Sequence, residues 1–219
     1  TEAVEDLLQA GASPAGAGLL ALALAQLGGA AQATALPLSL LERGADPFGT
    51  DAHERTPLHL AAAHAQGELL RNLLTRGCDP NARDCDQRTP LFAALEHGVA
   101  ALPLVRSLIA HGADPEAADT HGETPLGLAL EHPALERWLD WRDWPLPHRL
   151  LRAEDLPGAA ATGALGAVQR LLELGFAVDA RDEQGATALL RACGAGHRDV
   201  AACLLEAGAD PALPAHSGV

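Results

Sequence analysis

Six glycines divide this chain into nearly equal lengths: Gly11, Gly44, Gly77, Gly112, Gly175 and Gly208. The intervals 11–44, 44–77 and 175–208 are each 33 residues, and 77–112 is 35. Five of the six sit in one motif: AGASP (10–14), RGADP (43–47), RGCDP (76–80), HGADP (111–115) and AGADP (207–211). Such a period requires a small unit built repeatedly, not one irregular core. The unit is clearest at 88–122. Thr89 is a good N-cap, and Pro90 suits the first helical position, where its missing N–H is harmless. The pattern predicts a short helix from Leu91 to about Glu96, a turn at Gly98, and a second helix from about Leu102 to Ala110. Gly112 follows, where a left-handed cap favours glycine. Asp114-Pro115 then stops the helix. Two helices of about ten residues cannot bury a core alone and need a copy on each side.

The heads of the units agree: RTPLHLAAAH (55–64), RTPLFAALEH (88–97), ETPLGLALEH (123–132) and ATALLRACGAGH (186–197). A 33-residue period with a T-P-L-H-x-A head is the ankyrin pattern. The sequence resembles the ankyrin repeat family over nearly its whole length. The resemblance implies an all-α solenoid of helix-turn-helix units with short β-turn fingers, forming a single domain over 1–219. A half repeat is expected at 1–14, and full repeats at about 15–47, 48–80, 81–115, 116–152, 153–178 and 179–211. The pattern is irregular at 143–156, where PLPHRLLRAEDLPG (145–158) replaces the usual tail. From Gly112 to Gly175 is 63 residues, three short of two units, so a finger is expected to be missing there. The ends read as cut from a longer chain. Ala- and Arg-rich, Lys-free composition suggests a bacterial source.

Composition narrows the partner. Acidic residues outnumber basic ones 29 to 15, a formal charge of −14. A phosphate backbone would be repelled, so no nucleic acid is expected. A protein with a basic surface is the better electrostatic match. No membrane insertion of this segment is expected: Leu7–Leu41 is uncharged but broken by Gly and Pro, and its apolar run falls short of the ~20 residues a span needs. The four cysteines show no metal-ligand spacing and read as small buried or half-buried thiols of a reducing compartment. The chain is expected to be a cytoplasmic monomer, or delivered into a host cell if it is an effector.

The resemblance implies binding through a concave face of fingers and first helices. Its variable positions fall on Ala52, His53, Arg55, Ala63 and His64 in the second repeat, and on Cys85, Asp86, Arg88, Glu96 and His97 in the third. In the fourth they are Thr120, His121, Glu123, Glu131 and His132, and in the sixth Glu183, Gln184, Ala186, Gly194 and Ala195. His53, Arg55, His64, Asp86, Arg88, Glu96, His97, His121, Glu123, Glu131 and His132 are taken as partner-binding. The head histidine His59 is expected to bridge repeats. His64, His97 and His132 share one frame position and read as a polar stripe, a solvated row, or a metal ladder. The repeat rise of about 10 Å is too wide for one ion with ligands about 2 Å away. Trp138 and Trp141 lie three apart where the pattern breaks. They either fill the space of the missing finger or form an exposed aromatic anchor, and they complete the partner-binding set. No catalytic, cofactor or metal residues are assigned, because no nucleophile, phosphate-loop or metalloprotease motif is present. Two other readings stay open: regulatory docking in cis on a larger protein, and a His-dependent metal or pH-responsive binder.

Overall fold

The computed structural model describes residues 18–27 and 35–215. The half repeat expected at 1–14 lies outside the described residues. Within them are twelve α-helices of five to nine residues. The first repeat gives α1 (Leu19–Leu27) and α2 (Ala35–Glu42), and the second α3 (Pro57–Ala63) and α4 (Gly67–Thr75). The third gives α5 (Pro90–Leu95) and α6 (Leu102–Ala110), and the fourth α7 (Pro125–Ala129) and α8 (Pro133–Leu139). The fifth gives α9 (Asp155–Thr162) and α10 (Leu165–Glu173), and the sixth α11 (Ala188–Ala195) and α12 (Arg198–Glu206). Extended pairing among the described residues is limited to one antiparallel bridge, Arg181 with Thr187. The fold is all-α.

The chain packs as two compact units that divide between Leu139 and Asp140. In the first, α1, α3, α5 and α7 stack as one row, and α4, α6 and α8 as another. In the second, α9 packs on α11 and α10 on α12. One small residue recurs where first helices meet: Ala61, Ala94, Ala129 and Ala192 stand five residues after each head threonine and are at most 1 % exposed. Leucine fills the space between rows, with Leu58, Leu69, Leu70, Leu91 and Leu108 inaccessible. The recurrent tail glycines Gly44, Gly77, Gly112, Gly175 and Gly208 all take φ between 85° and 93°, the left-handed cap that a side chain would strain.

Local chemistry explains most of the boundaries. Thr56, Thr124 and Thr187 each accept the amide three residues on, at 3.4, 3.0 and 3.3 Å. Thr89 does not, contrary to expectation. The Phe92 amide bonds instead to the Thr89 carbonyl, at 3.0 Å, in a tighter turn. The two extra residues between Gly77 and Gly112 lie in a 3₁₀ turn, Gly98–Ala101, that delays α6.

The irregular stretch has its own construction. Residues 140–154 form no helix. Arg170, 5 % exposed, lies 4.4 Å over the Trp141 ring and 3.0 Å from Asp143 Oδ1. Asp143 Oδ2 accepts the Ala167 amide at 3.2 Å. Arg149 binds Asp155 with both terminal nitrogens, at 3.0 and 2.8 Å, beside the start of α9. In the first unit, Arg106 stands 4.4 Å over Trp138. Trp138 and Trp141 are 2 % and 4 % exposed, so the expected surface anchor is corrected to two interior indoles, each roofed by an arginine. Stacking lets a planar guanidinium cover an apolar ring while keeping its polar edge bonded. The thiols also differ from expectation: Cys85 and Cys193 are exposed, while Cys78 is buried and burial raises its pKa to about 11.

Leu108 sits in α6 between two neighbours of its row. Leu108→Ala is expected to destabilise by about 2–5 kcal/mol, the range for a buried leucine leaving a cavity. Urea unfolding followed by circular dichroism measures it.

Candidate partner-binding face

Each finger is a five-residue turn opened by an aspartate: 51–55, 84–88, 119–123 and 182–186. The aspartate amide donates to the carbonyl four residues on, at 2.9–3.1 Å. Its Oδ1 accepts two amides in return. For Asp51 these are His53 and Arg55, at 2.9 and 3.0 Å. For Asp84 they are Asp86 and Arg88, at 3.0 and 2.9 Å. Asp119 and Asp182 repeat the scheme with His121 and Glu123, and with Gln184 and Ala186. The fourth residue is left-handed in every finger: Gly122 and Gly185 in two, Glu54 and Gln87 at φ 60° and 61° in the others. Fingers join through their backbones, the Cys85 amide to the His53 carbonyl and the Thr120 amide to the Asp86 carbonyl, both at 3.1 Å.

Side chains tie the fingers to the helices. His59 accepts the Thr56 amide at Nδ1, 3.2 Å, and donates from Nε2 to the Arg88 carbonyl at 3.0 Å. It bridges two repeats, and Phe92, Gly127 and Leu190 at the equivalent positions have no such donor. Asp51 Oδ2 accepts Arg55 Nε at 2.9 Å, Asp119 Oδ2 accepts Arg88 Nε at 3.1 Å, and Asp182 Oδ2 accepts Arg191 Nε at 2.7 Å. Burial alone would raise these three carboxyls, but the arginine and amide hydrogen bonds outweigh it and hold each below the usual carboxylate range.

The expected site residues separate into groups. His53, Asp86 and His121 stand exposed on finger tips, and Glu96, Glu123, Glu131 and His132 are exposed as well. Arg55 and Arg88 are half-exposed but held by Asp51 and Asp119; Arg88 also lies 5.6 Å over Phe92. His64 and His97 are half-buried. His97 Nε2 donates to the Ala62 and Ala63 carbonyls, at 3.1 and 3.0 Å, closing the end of the preceding repeat's first helix. The histidine row is therefore not one surface stripe: its middle member faces the neighbouring repeat. Trp138 and Trp141 take no part in the face, as their burial requires.

A groove of about 380 Å³ runs between fingers 51–55 and 84–88 and helices α3 and α5, lined by His53, Arg55, Asp84, Cys85, Asp86, Arg88, Thr89, Phe92 and Glu96 among others. Desolvation, together with the carboxylates of Asp86, Asp84 and Glu54, raises the Cys85 thiol and makes it a poor nucleophile at neutral pH. The second unit carries a groove of about 570 Å³ on the corresponding side of α11, lined largely by small residues such as Ala161, Ala186 and Ala195, with Leu190. The finger aspartates, which build this face, were missed in the sequence. Their signal is an Asp five residues before each head threonine, at 51, 84, 119 and 182.

Stacked helical hairpins joined by projecting turns define a solenoid repeat protein with an extended surface. The chain belongs to the ankyrin repeat family: residues 58–138 match the family model for ankyrin repeats (3 copies), and residues 158–205 that for ankyrin repeats (many copies). A comparison with curated proteins gave no match. Ankyrin repeats generally mediate protein–protein interaction, and such domains are typically non-catalytic. No helix among the described residues is long and apolar enough to cross a membrane.

Burial lowers the pKa of His59 against the opposing pull of the Arg88 carbonyl and Asp84. A depressed imidazole binds its proton more readily in the unfolded chain, so its contribution is complete above about pH 6.5 and declines as pH falls below that value. The melting temperature is expected to drop between pH 7.5 and 5.5. His59→Gln, which keeps a side-chain donor and cannot titrate, should flatten that part of the profile in scanning calorimetry.

Proposed function

We propose that this chain is a non-catalytic interaction scaffold that binds a basic segment of a partner protein on the face formed by its fingers and first helices. The observation that carries this reading is the charge balance of that face in the first unit. Its arginines, Arg55 and Arg88, are each held by a carboxylate of the chain itself. Exposed acids remain in excess: Glu54 and Asp86 on the fingers, Glu96 and Glu131 at the ends of the first helices, and Glu123 beside Arg88. A surface of this kind speeds encounter with a cation and disfavours anionic partners.

Glu96→Arg combined with Glu131→Arg changes two exposed side chains and should leave the fold intact. Capture from source-organism lysate, with crosslinking mass spectrometry, compares parent and variant. Crosslinks to fingers 51–55 and 84–88 that the variant loses support the reading. Affinity for the captured partner should fall by about tenfold or more near 0.1 M salt and by less at high salt, where exposed charges are screened. Equal capture by both chains would remove this face from consideration.

A further inference from the structure

Asp51, Asp119 and Asp182 each hold an arginine on the second carboxylate oxygen. Asp84 is built into its finger in the same way through Oδ1. Among the described residues, however, no arginine meets its Oδ2. The cause lies in the next repeat. Arg88 stands to Asp84 as Arg55 stands to Asp51, four residues on, but it reaches forward to Asp119 at 3.1 Å and Glu123 at 3.7 Å. Asp84 thus lines the groove with Asp86 and Glu96, while both guanidinium groups there are held elsewhere, Arg55 by Asp51 and Arg88 by Asp119. Thr89 lines the same groove, is 1 % exposed, and its Oγ1 has no hydrogen-bond partner. A buried hydroxyl left without a partner is costly unless a ligand completes it.

We propose that this groove receives an arginine side chain from a partner protein, paired to Asp84 as Arg55 is paired to Asp51. The inference rests on the reading of the inner face given above and names the side chain that face selects. Asp86 and Glu96 add attraction at the groove, and the Thr89 hydroxyl supplies a further acceptor. The chemistry favours arginine over lysine. The three internal pairs all use arginine Nε, and a planar guanidinium presents Nε and a terminal nitrogen side by side to one carboxylate, which an ammonium does not.

The test uses the whole chain and a fluorescein-labelled peptide of alternating glycine and arginine, with the lysine counterpart beside it, followed by fluorescence anisotropy at low salt. The arginine peptide is expected to bind more tightly than the lysine peptide. Asp84→Asn keeps an oxygen to cap the finger but removes the charge, and should weaken arginine-peptide binding by about tenfold or more. Unchanged affinity in Asp84→Asn overturns the proposal, as does equal binding of the two peptides. If the double Glu96/Glu131 variant loses the peptide while Asp84→Asn does not, the face stands and the arginine site falls. If neither loses it, both fall. Should Asp84→Asn melt far below the parent, Arg88→Gln decides. It removes a positive charge from the groove wall that Asp84 lines and should tighten peptide binding, and no tightening would overturn the proposal.

Discussion

Helices of five to nine residues do not persist alone in water, because nucleation costs more than so few backbone bonds return. Everything else in this protein follows from that limit. Each hairpin must bury its apolar side on a neighbour, so the interior is made of contacts between equivalent positions. Alanine at one frame position lets first helices approach, and leucines fill the seam behind them. The same limit explains why polar groups cluster at the ends of helices. With so few turns per helix, a large share of the backbone donors and acceptors is terminal. Head threonines, His59 and His97 meet a good part of them.

The fingers solve a related difficulty. They carry little regular pairing of their own, and one aspartate organises each of them. Its carboxylate accepts two amides, and in three cases an arginine from the same or the preceding repeat balances the charge. Where the arginine is drawn forward, as at Arg88, the acidic character of the finger is left for the solvent side. Internal bonding and external charge are therefore two outcomes of a single allocation of arginines. At 140–154 the same residue types are used differently. Arg170 of α10 roofs Trp141 and joins Asp143, and Arg149 joins Asp155, in place of a finger.

Most of the fold was legible because it depends on spacing. The period, the T-P-L heads and the glycine tails placed α5 to within one residue at each end and α6 at its observed bounds, Leu102–Ala110. Details that depend on competition between neighbours were not. Thr89 shares Arg-Thr-Pro-Leu with Thr56, yet Phe92 stands where His59 bonds the Thr56 hydroxyl, and the Phe92 amide bonds a carbonyl instead. Trp138 and Trp141 read more readily as filler than as anchor, and Arg106 and Arg170 cover them. Among the candidate site residues, those on finger tips came out exposed because tip geometry is local. His97 did not, since its carbonyl partners belong to another repeat. Nor do the aspartates at 51, 84, 119 and 182 form a familiar motif; their role appears only once the turn is closed.

The junctions between repeats are closed from both directions. Side chains of one repeat reach forward: His59 to the Arg88 carbonyl, Asn81 to the Gly112 carbonyl at 2.8 Å, and Arg83 to the Ala118 carbonyl. Amides of the later repeat reach back, Cys85 to His53, Thr120 to Asp86, and Asp114 to the Asn81 side chain at 2.7 Å. Each of these bonds crosses residue 84 or residue 119, so no segment cut at finger aspartates carries both halves of its junctions. A repeat moved elsewhere in the array closes only where its new neighbours present the same donors and acceptors in the same frame.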